Sequence, residues 1–179
     1  MGKGEFLRMK EVALNDFDKI YKIMCDSFPD TEIRSREGQR VLFNNENYRV
    51  FCLEKSGEIV SIAAVWQFDS FTFLEHLATD KDLRGGGLGK CLLREIIDFS
   101  PVPVCLEVEP PVDELTRRRI GFYERNGMHL NSYPYVQPSL GKGRDAIPLL
   151  IMTSEGKIDE TTFENIKNTL YTQVYKVTI

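Results

Sequence analysis

The residues best suited to chemistry in this 179-residue chain cluster in one glycine-rich run, Leu83-Arg84-Gly85-Gly86-Gly87-Leu88-Gly89-Lys90. Glycines lack Cβ atoms and reach positive φ, so successive backbone N–H groups can converge there on an anion. A helix opening in the run adds its own unpaired N–H groups. The chemistry this favours is a phosphate cradle; the alternative is a strand-to-helix turn that holds no ligand. Spacing separates the known cradles. A P-loop needs G-x-x-x-x-G-K followed by Ser or Thr, but Cys91 follows Lys90 and Arg84 occupies the first glycine position. The dinucleotide pattern G-x-G-x-x-G fails from Gly85, where Lys90 takes the last glycine position, and from Gly87, where Leu92 does. What remains is Arg-x-x-Gly-x-Gly, as Arg84, Gly87 and Gly89.

Other candidates lie outside the run. Glu75 sits in an otherwise apolar or weakly polar stretch, where an ionised carboxylate needs a reason to be kept. A cross-strand Lys or Arg partner is one reason and proton transfer is another. By strand alternation His76 faces the opposite way, as a packed or surface residue. Tyr123 lies on a helix whose other face must pack on the sheet; its phenol, of pKa about 10, is a proton donor, or else it is a core tyrosine with its hydroxyl satisfied. Glu107 and Glu109 alternate with Leu106 and Val108 and share one face; one of them could take up a proton or a cationic group, but a solvent-facing pair is the expectation. Cys25, Cys52, Cys91 and Cys105 form no C-x-x-C pair and His76 and His129 are far apart, so no metal is expected and the thiols read as small buried side chains.

Positioning these groups requires alternating elements. Residues 5–9 read as a short first strand. Residues 15–28 read as a helix, with Phe17, Ile20, Tyr21, Ile23, Met24 and Phe28 at three- and four-residue spacings before Pro29. A second, more polar helix is placed over 35–45. Residues 48–54, 58–68 and 71–79 read as an antiparallel meander turned at Ser56-Gly57 and Asp69-Ser70. After the glycines, Leu88, Leu92, Ile96 and Phe99 recur at helical spacing up to Pro101. A strand over 103–109 ends at Pro110-Pro111, and Asp113 caps a helix to Asn126 with Gly127 as its stop. Strands over 128–136 and 146–153 follow. The last helix opens at a Thr161/Glu164 capping box and carries Phe163, Ile166, Leu170 and Val174 on one stripe. The class is therefore mixed α/β (α+β), a mostly antiparallel central sheet of about six to seven strands flanked by helices. The strand–helix–strand unit over 71–109 demands a parallel or splayed pair. With no linker or repeat, residues 1–179 read as a single domain.

At this point the chain resembles the GCN5-related N-acetyltransferase (GNAT) superfamily. Arg84, Gly87 and Gly89 match its pyrophosphate loop, LEHLATDKDLRGGGLGKCLL is similar to its fourth strand, loop and third helix, and RRRIGFYERNGM to its fourth helix and following turn. The resemblance covers roughly residues 71–130. It implies the acyl-CoA N-acyltransferase fold, with a splayed parallel strand pair, and acetyl-CoA as co-substrate. It further implies cofactor contacts at Leu77, Ala78 and Thr79, where backbone N–H groups face the splay, and along Arg84, Gly85, Gly86, Gly87, Leu88, Gly89 and Lys90. The same resemblance assigns Glu75 as general base, often through water, and Tyr123 as the acid for the departing thiolate. Direct amine attack in a ternary complex follows from it. Thr116 stands where many relatives have an Asn seven residues before the tyrosine. The alternative function is a non-catalytic acyl-CoA-binding or sensing module of the same fold; presence of both Glu75 and Tyr123 favours the enzyme.

Composition bounds the partners. Hydrophobic residues are 42% and charged residues 28%, which excludes disordered and collagen-like classes. The formal net charge of −4 argues against a general nucleic-acid binder. No apolar run approaches the roughly 20 residues of a membrane helix, and the opening MGKGEFLRMKEV has no apolar targeting core, so a cytoplasmic protein away from membranes is expected. The acceptor is expected to be a small-molecule or peptide amine, selected by residues 14–47 and 131–145, on a monomer or homodimer.

Overall fold

A computed structural model describes residues 7–141 and 143–177. Its backbone is one sheet of eight strands in the order β1-β2-β3-β4-β5-β8-β6, with β7 also paired to β8. The strands are β1 (Lys10–Glu11), β2 (Tyr48–Lys55), β3 (Glu58–Gln67), β4 (Thr72–Thr79), β5 (Val104–Val108), β6 (His129–Leu130), β7 (Tyr135–Gln137) and β8 (Ile147–Thr153). The helices are α1 (Phe17–Cys25), α2 (Arg36–Val41), α3 (Leu88–Phe99), α4 (Glu114–Glu124) and α5 (Glu160–Thr169), the last running into a π-helical turn at Leu170–Val174. Every pairing is antiparallel except β4 with β5, the pair that the α3 crossover joins. The expected mixed architecture therefore holds, and the count exceeds the expected six to seven strands because the run expected over 128–136 is split into β6 and β7.

Strand alternation sorts the core into two layers. On β3, Ile62, Ala64 and Trp66 face α1 and α5, through Ile20, Met24, Phe163 and Leu170. Val60, Ala63 and Val65 face α3 and α4, through Leu92, Leu93, Ile96 and Ile120. Trp66 is 1% exposed, so the centre of the sheet is covered on both sides, as a strand joining two helix layers must be.

Boundaries moved for identifiable reasons. The first strand lies at Lys10–Glu11 against Cys52 and Phe51, not at 5–9, of which residues 5 and 6 lie outside the described residues. The helix over 35–45 is α-helical only to Val41 and then tightens to a 3-10 turn, Leu42–Asn44. Asp113 caps α4 as expected, closed into a reciprocal box with Thr116, which is why a Thr occupies that position. On α5 the cap is Asp159, accepting from the Thr162 N–H at 2.8 Å, rather than Thr161.

The expected strand over 128–136 is interrupted. Asn131 is 2% exposed and turns its amide inward, donating to the Ile151 carbonyl and the Thr153 hydroxyl while its oxygen accepts from the Ile158 N–H at 3.0 Å. One side chain thus ties β6, β8 and the approach to α5. Removing it strands several buried polar groups at once, so Asn131→Leu is expected to lower stability by about 2–4 kcal/mol in urea denaturation. A change below ~0.5 kcal/mol would mean those groups find water instead.

Candidate active site

The site forms where the sheet forks. β4 and β5 pair only at Thr72–Val104, Phe73–Cys105 and Leu74–Leu106; beyond Leu74 the β5-facing edge of β4 has no strand partner. A cleft of about 890 Å³ opens there, lined by Leu77, Ala78 and Thr79 from β4, Glu107 from β5, Tyr123 from α4 and the glycine-rich loop. The sequence candidates other than Gly86 therefore line one cavity.

The glycine run supplies the donors. Gly85 and Gly87 have φ of +83° and +80°, a conformation that L side chains adopt only with strain. Gly87 caps α3, and the first backbone donation into that turn is from Cys91 to the Gly87 carbonyl. Among the described residues the N–H groups of Gly85 to Lys90 have no backbone acceptor, and all of these residues but Gly86 line the cleft, so unpaired donors at a positive helix end border the opening. A Cβ on Gly89 would meet Thr79 Oγ1 at 3.4 Å, which places the start of α3 in contact range of β4. Arg84 is a brace: its guanidinium donates to the Thr79 and Asp26 carbonyls and to Ser27 Oγ at 3.0 Å, clamping the loop between β4 and the end of α1.

Glu75 lies on a β-bulge. Ala64 is opposite His76 but Val65 is opposite Leu74, which leaves Glu75 as the extra residue. The bulge resets alternation. His76 does not face away from Glu75; it is buried on the same side, with its ring edge on Phe28, Nε2 donating to the Glu32 carbonyl at 2.9 Å, and Nδ1 3.8 Å from Glu75 Oε2. Nδ1 has no hydrogen-bond partner, and burial lowers the imidazole pKa, so the ring is the neutral Nε2–H tautomer. Glu75 itself is 4% exposed, with Oε1 accepting from Arg34 at 2.6 Å and Oε2 from Trp66 Nε1 at 2.9 Å. Burial opposes its ionisation, but the Arg34 guanidinium and these donors overcome that and hold its pKa below the usual range. Arg34 also donates to the Val174 carbonyl, tying the chain's last helical turn to the same carboxylate.

Glu107 corrects the expectation of a solvent-facing pair. Glu109 does lie at the surface, ion-paired with Arg119. Glu107 instead turns inward, accepting from the Tyr135 hydroxyl on β7 and from the Tyr175 hydroxyl at 2.7 Å. Burial dominates over these two donors, and the nearby Glu75 and Glu32 charges add to it, pushing its pKa up to about 7. Tyr123 also lines the cleft, its hydroxyl without a partner among the described residues, and burial raises its phenol to about 12. Arg34, Tyr135 and Tyr175 were not candidates in the sequence, because nothing in residues 30–35 or in the C-terminal turn marks them as contacting residues 75 and 107.

A fork, a donor-rich loop opening a helix and a phenol across the cleft define a class of group-transfer enzyme that binds a phosphorylated donor. A family model for the acetyltransferase (GNAT) family matches residues 17–128, and the chain belongs to that family, as an N-acetyltransferase. It is 30% identical over 154 residues to YjbC of Bacillus subtilis, assigned as an acetyltransferase, covering 83% of this chain and 78% of that one. A solved structure from Bacteroides thetaiotaomicron, assigned to the same family, superposes with a TM-score of 0.88 at 34% identity, over 96% of this chain and 99% of the other. The fold also recurs in a GNAT acetyltransferase from Elizabethkingia anophelis with acetyl-CoA bound, at a TM-score of 0.60 and 13% identity, covering 83% and 97%. Among the described residues no His, Cys, Asp and Glu group is arranged to hold a metal, and no helix is long and apolar enough to cross a membrane.

Arg34→Met tests the buried pair. It leaves the Glu75 carboxylate with Trp66 alone, so a loss of about 3–5 kcal/mol is expected at pH 7. In the wild type the depressed Glu75 pKa favours the folded state at neutral pH and that contribution fades as pH falls through it. In the variant the folded pKa rises above the unfolded one, so the deficit should narrow on acidification. A deficit that is constant from pH 7 to pH 4 in urea titrations would separate the stability of this region from the ion pair.

Proposed function

We propose that the protein transfers the acetyl group of acetyl-CoA to a primary amine by direct attack in a ternary complex. The observation that carries this reading is the row of unpaired N–H groups from Gly85 to Lys90, opening onto the same cleft as Tyr123. A pyrophosphate is the ligand those donors fit, because several N–H groups and a helix end meet a doubly charged, oxygen-rich group at once. A structural neighbour of this fold has acetyl-CoA bound, which supports the same ligand for this cleft. Arg84 holds the loop in place. The edge of β4 at Leu77, Ala78 and Thr79 offers backbone donors to the thioester arm, and Leu88 packs the start of α3 beneath it.

When bound, acetyl-CoA supplies an activated acyl carbon and a thiolate leaving group. The protein's own residues orient it, exclude water from one side and move protons. Tyr123 suits the acid role: at a pKa near 12 its hydroxyl stays protonated at neutral pH and, having no internal partner, is free to donate. Glu75 is the family-type candidate for base, yet both its oxygens are occupied by Arg34 and Trp66. Its role in this reading is to fix Arg34 and the bulge that opens the fork. The acceptor enters from the side walled by residues 27–34 and by β7, through Phe28, Glu32 and Gln137.

Acetyl-CoA should raise the melting temperature in a thermal-shift assay, the ligand contributing roughly 2.7 kcal/mol at a hundredfold excess over Kd. Gly87→Val forces a β-branched residue to φ near +80° and misdirects the donor row, so it should abolish that shift while leaving a folded protein. No shift at millimolar acetyl-CoA in the wild type would remove the reading. Tyr123→Phe should lower kcat by about 10²-fold with the KM for acetyl-CoA nearly unchanged, since the hydroxyl acts mainly in the transition state. A fully active variant would exclude the tyrosine from proton transfer.

A further inference from the structure

We propose that Glu107, and not Glu75, takes the proton from the acceptor ammonium, held in place for that task by the hydroxyls of Tyr135 and Tyr175. The inference rests on the acetyl-transfer reading above and assigns the proton acceptor within the same site. Both carboxylates emerge immediately past the last β4–β5 pair, Glu75 after Leu74 and Glu107 after Leu106, so both are at the fork where an amine would meet the thioester. Their surroundings differ in kind. Glu75 has a permanent cation on one oxygen and an indole donor on the other, leaving it charged and weakly basic. Glu107 has only two neutral phenols, one on each oxygen, and borders the open cleft. Each oxygen keeps a second lone pair for an incoming N–H.

The groups facing Glu107 can be named. From β4 come Glu75 and the neutral His76, with Arg34 beyond Glu75; from the loop after α1 comes Glu32; from β7 and the C-terminal turn come Tyr135 and Tyr175, with Tyr171 next to Tyr135. On its own strand lies the buried Cys105, and just past the strand end Glu109 pairs with Arg119 of α4. Among the described residues Arg34 is ion-paired with Glu75 and Arg119 with Glu109, and no cation is ion-paired with Glu107. That is why burial prevails at Glu107 and its pKa stands near 7, where a carboxylate is more basic than an ordinary one yet still ionised in about half of the molecules in a neutral medium.

The balance is as follows. An N–H bond of the ammonium breaks and its proton goes to a Glu107 oxygen. The freed nitrogen pair forms the N–C bond to the acetyl carbon; the C–S bond breaks and its electron pair leaves on sulfur, which takes the Tyr123 proton. The surplus proton on nitrogen returns to the phenolate, and Glu107 releases its proton to solvent. Net products are the amide, the free thiol and one proton. Tyr135 and Tyr175 are positioning residues.

The test uses the full chain. With δ-¹³C-glutamate labelling, one carboxyl resonance of the wild type should titrate with a midpoint near pH 7 and be missing in Glu107→Gln. Kinetics are then followed from pH 5.5 to 9.5 with acetyl-CoA and the fastest of spermidine, glycinamide, kanamycin and an alanyl tripeptide. Glu107→Gln should lose 10²-fold or more in kcat/KM at pH 7, a deficit that shrinks as the amine deprotonates unaided, while its acetyl-CoA thermal shift stays that of the wild type. Tyr175→Phe removes a donor to the ionised form, so the acid limb of its profile should move up by about one pH unit, which a purely structural tyrosine would not cause. A Glu107→Gln profile parallel to that of the wild type, or an acid limb that disappears in Glu75→Gln instead, overturns the assignment. A Glu107 carboxyl that stays ionised to pH 5 does so as well. Wild-type protein that acetylates none of the four amines counts against the acetyl-transfer reading, a result distinct from these.

Discussion

The parallel pairing of β4 with β5 lasts three residues, and the cleft, its donors and both buried carboxylates exist because it stops there. If the register Leu74–Leu106 continued, the next pair would be Glu75 directly opposite Glu107, on the buried side of the sheet. Two like charges facing each other across a strand pair are unfavourable even at a surface, and more so where solvent is excluded. The bulge at Glu75 relieves this by adding a residue to β4 and increasing its local twist, which turns the strand away from β5. Backbone groups that a closed sheet would consume are then left facing the cleft, where a ligand can satisfy them. The glycine-rich loop and α3 continue directly from the diverging strand, so the donor row borders the opening made by the same bend.

The two glutamates show how one residue type is given two behaviours by its neighbours. Glu75 is solvated by a guanidinium and an indole N–H, groups that prefer the carboxylate ionised at every physiological pH. Glu107 is solvated by phenols, which donate without adding charge, and burial keeps its proton affinity high. Exchanging Arg34 for a neutral residue would raise Glu75 and destabilise the fold, whereas exchanging a phenol would tune Glu107 with far smaller consequence. One carboxylate is thereby suited to architecture and the other to exchange with solvent and substrate.

Much of this was legible in the sequence where local rules govern. The spacing of Arg84, Gly87 and Gly89 gave the donor loop, since left-handed φ at Gly85 and Gly87 is a property of the residues themselves. Asp113 as a cap and the apolar stripe of α3 were equally local. Three things were not. A bulge inserts one residue without any change in composition, so alternation put His76 on the wrong side of β4. The break at Asn131 depends on acceptors at Ile151 and Thr153, some twenty residues away, and the inward turn of Glu107 depends on Tyr175, 68 residues away. Arg34 finds Glu75 across 41 residues. Charge and polarity were visible in each case; the partner that changes their meaning was not.

These distant partners also divide the site by origin. The matched family region, residues 17–128, contains the loop, the fork, Glu75, Glu107 and Tyr123. Tyr135 on β7 and Tyr175 after the π-helical turn lie outside that region, as does the Val174 carbonyl that receives Arg34. Two hydroxyls that donate to Glu107 and part of the cleft wall, Gln137 and Leu149, are therefore contributed by the C-terminal third of the chain, while Phe28 and Glu32 on the same wall belong to the matched region. The same chain segment that closes the core through Phe163, Leu170 and Val174 thus brings Tyr175 to the fork, so acceptor chemistry and packing of the last helix are coupled through one short turn.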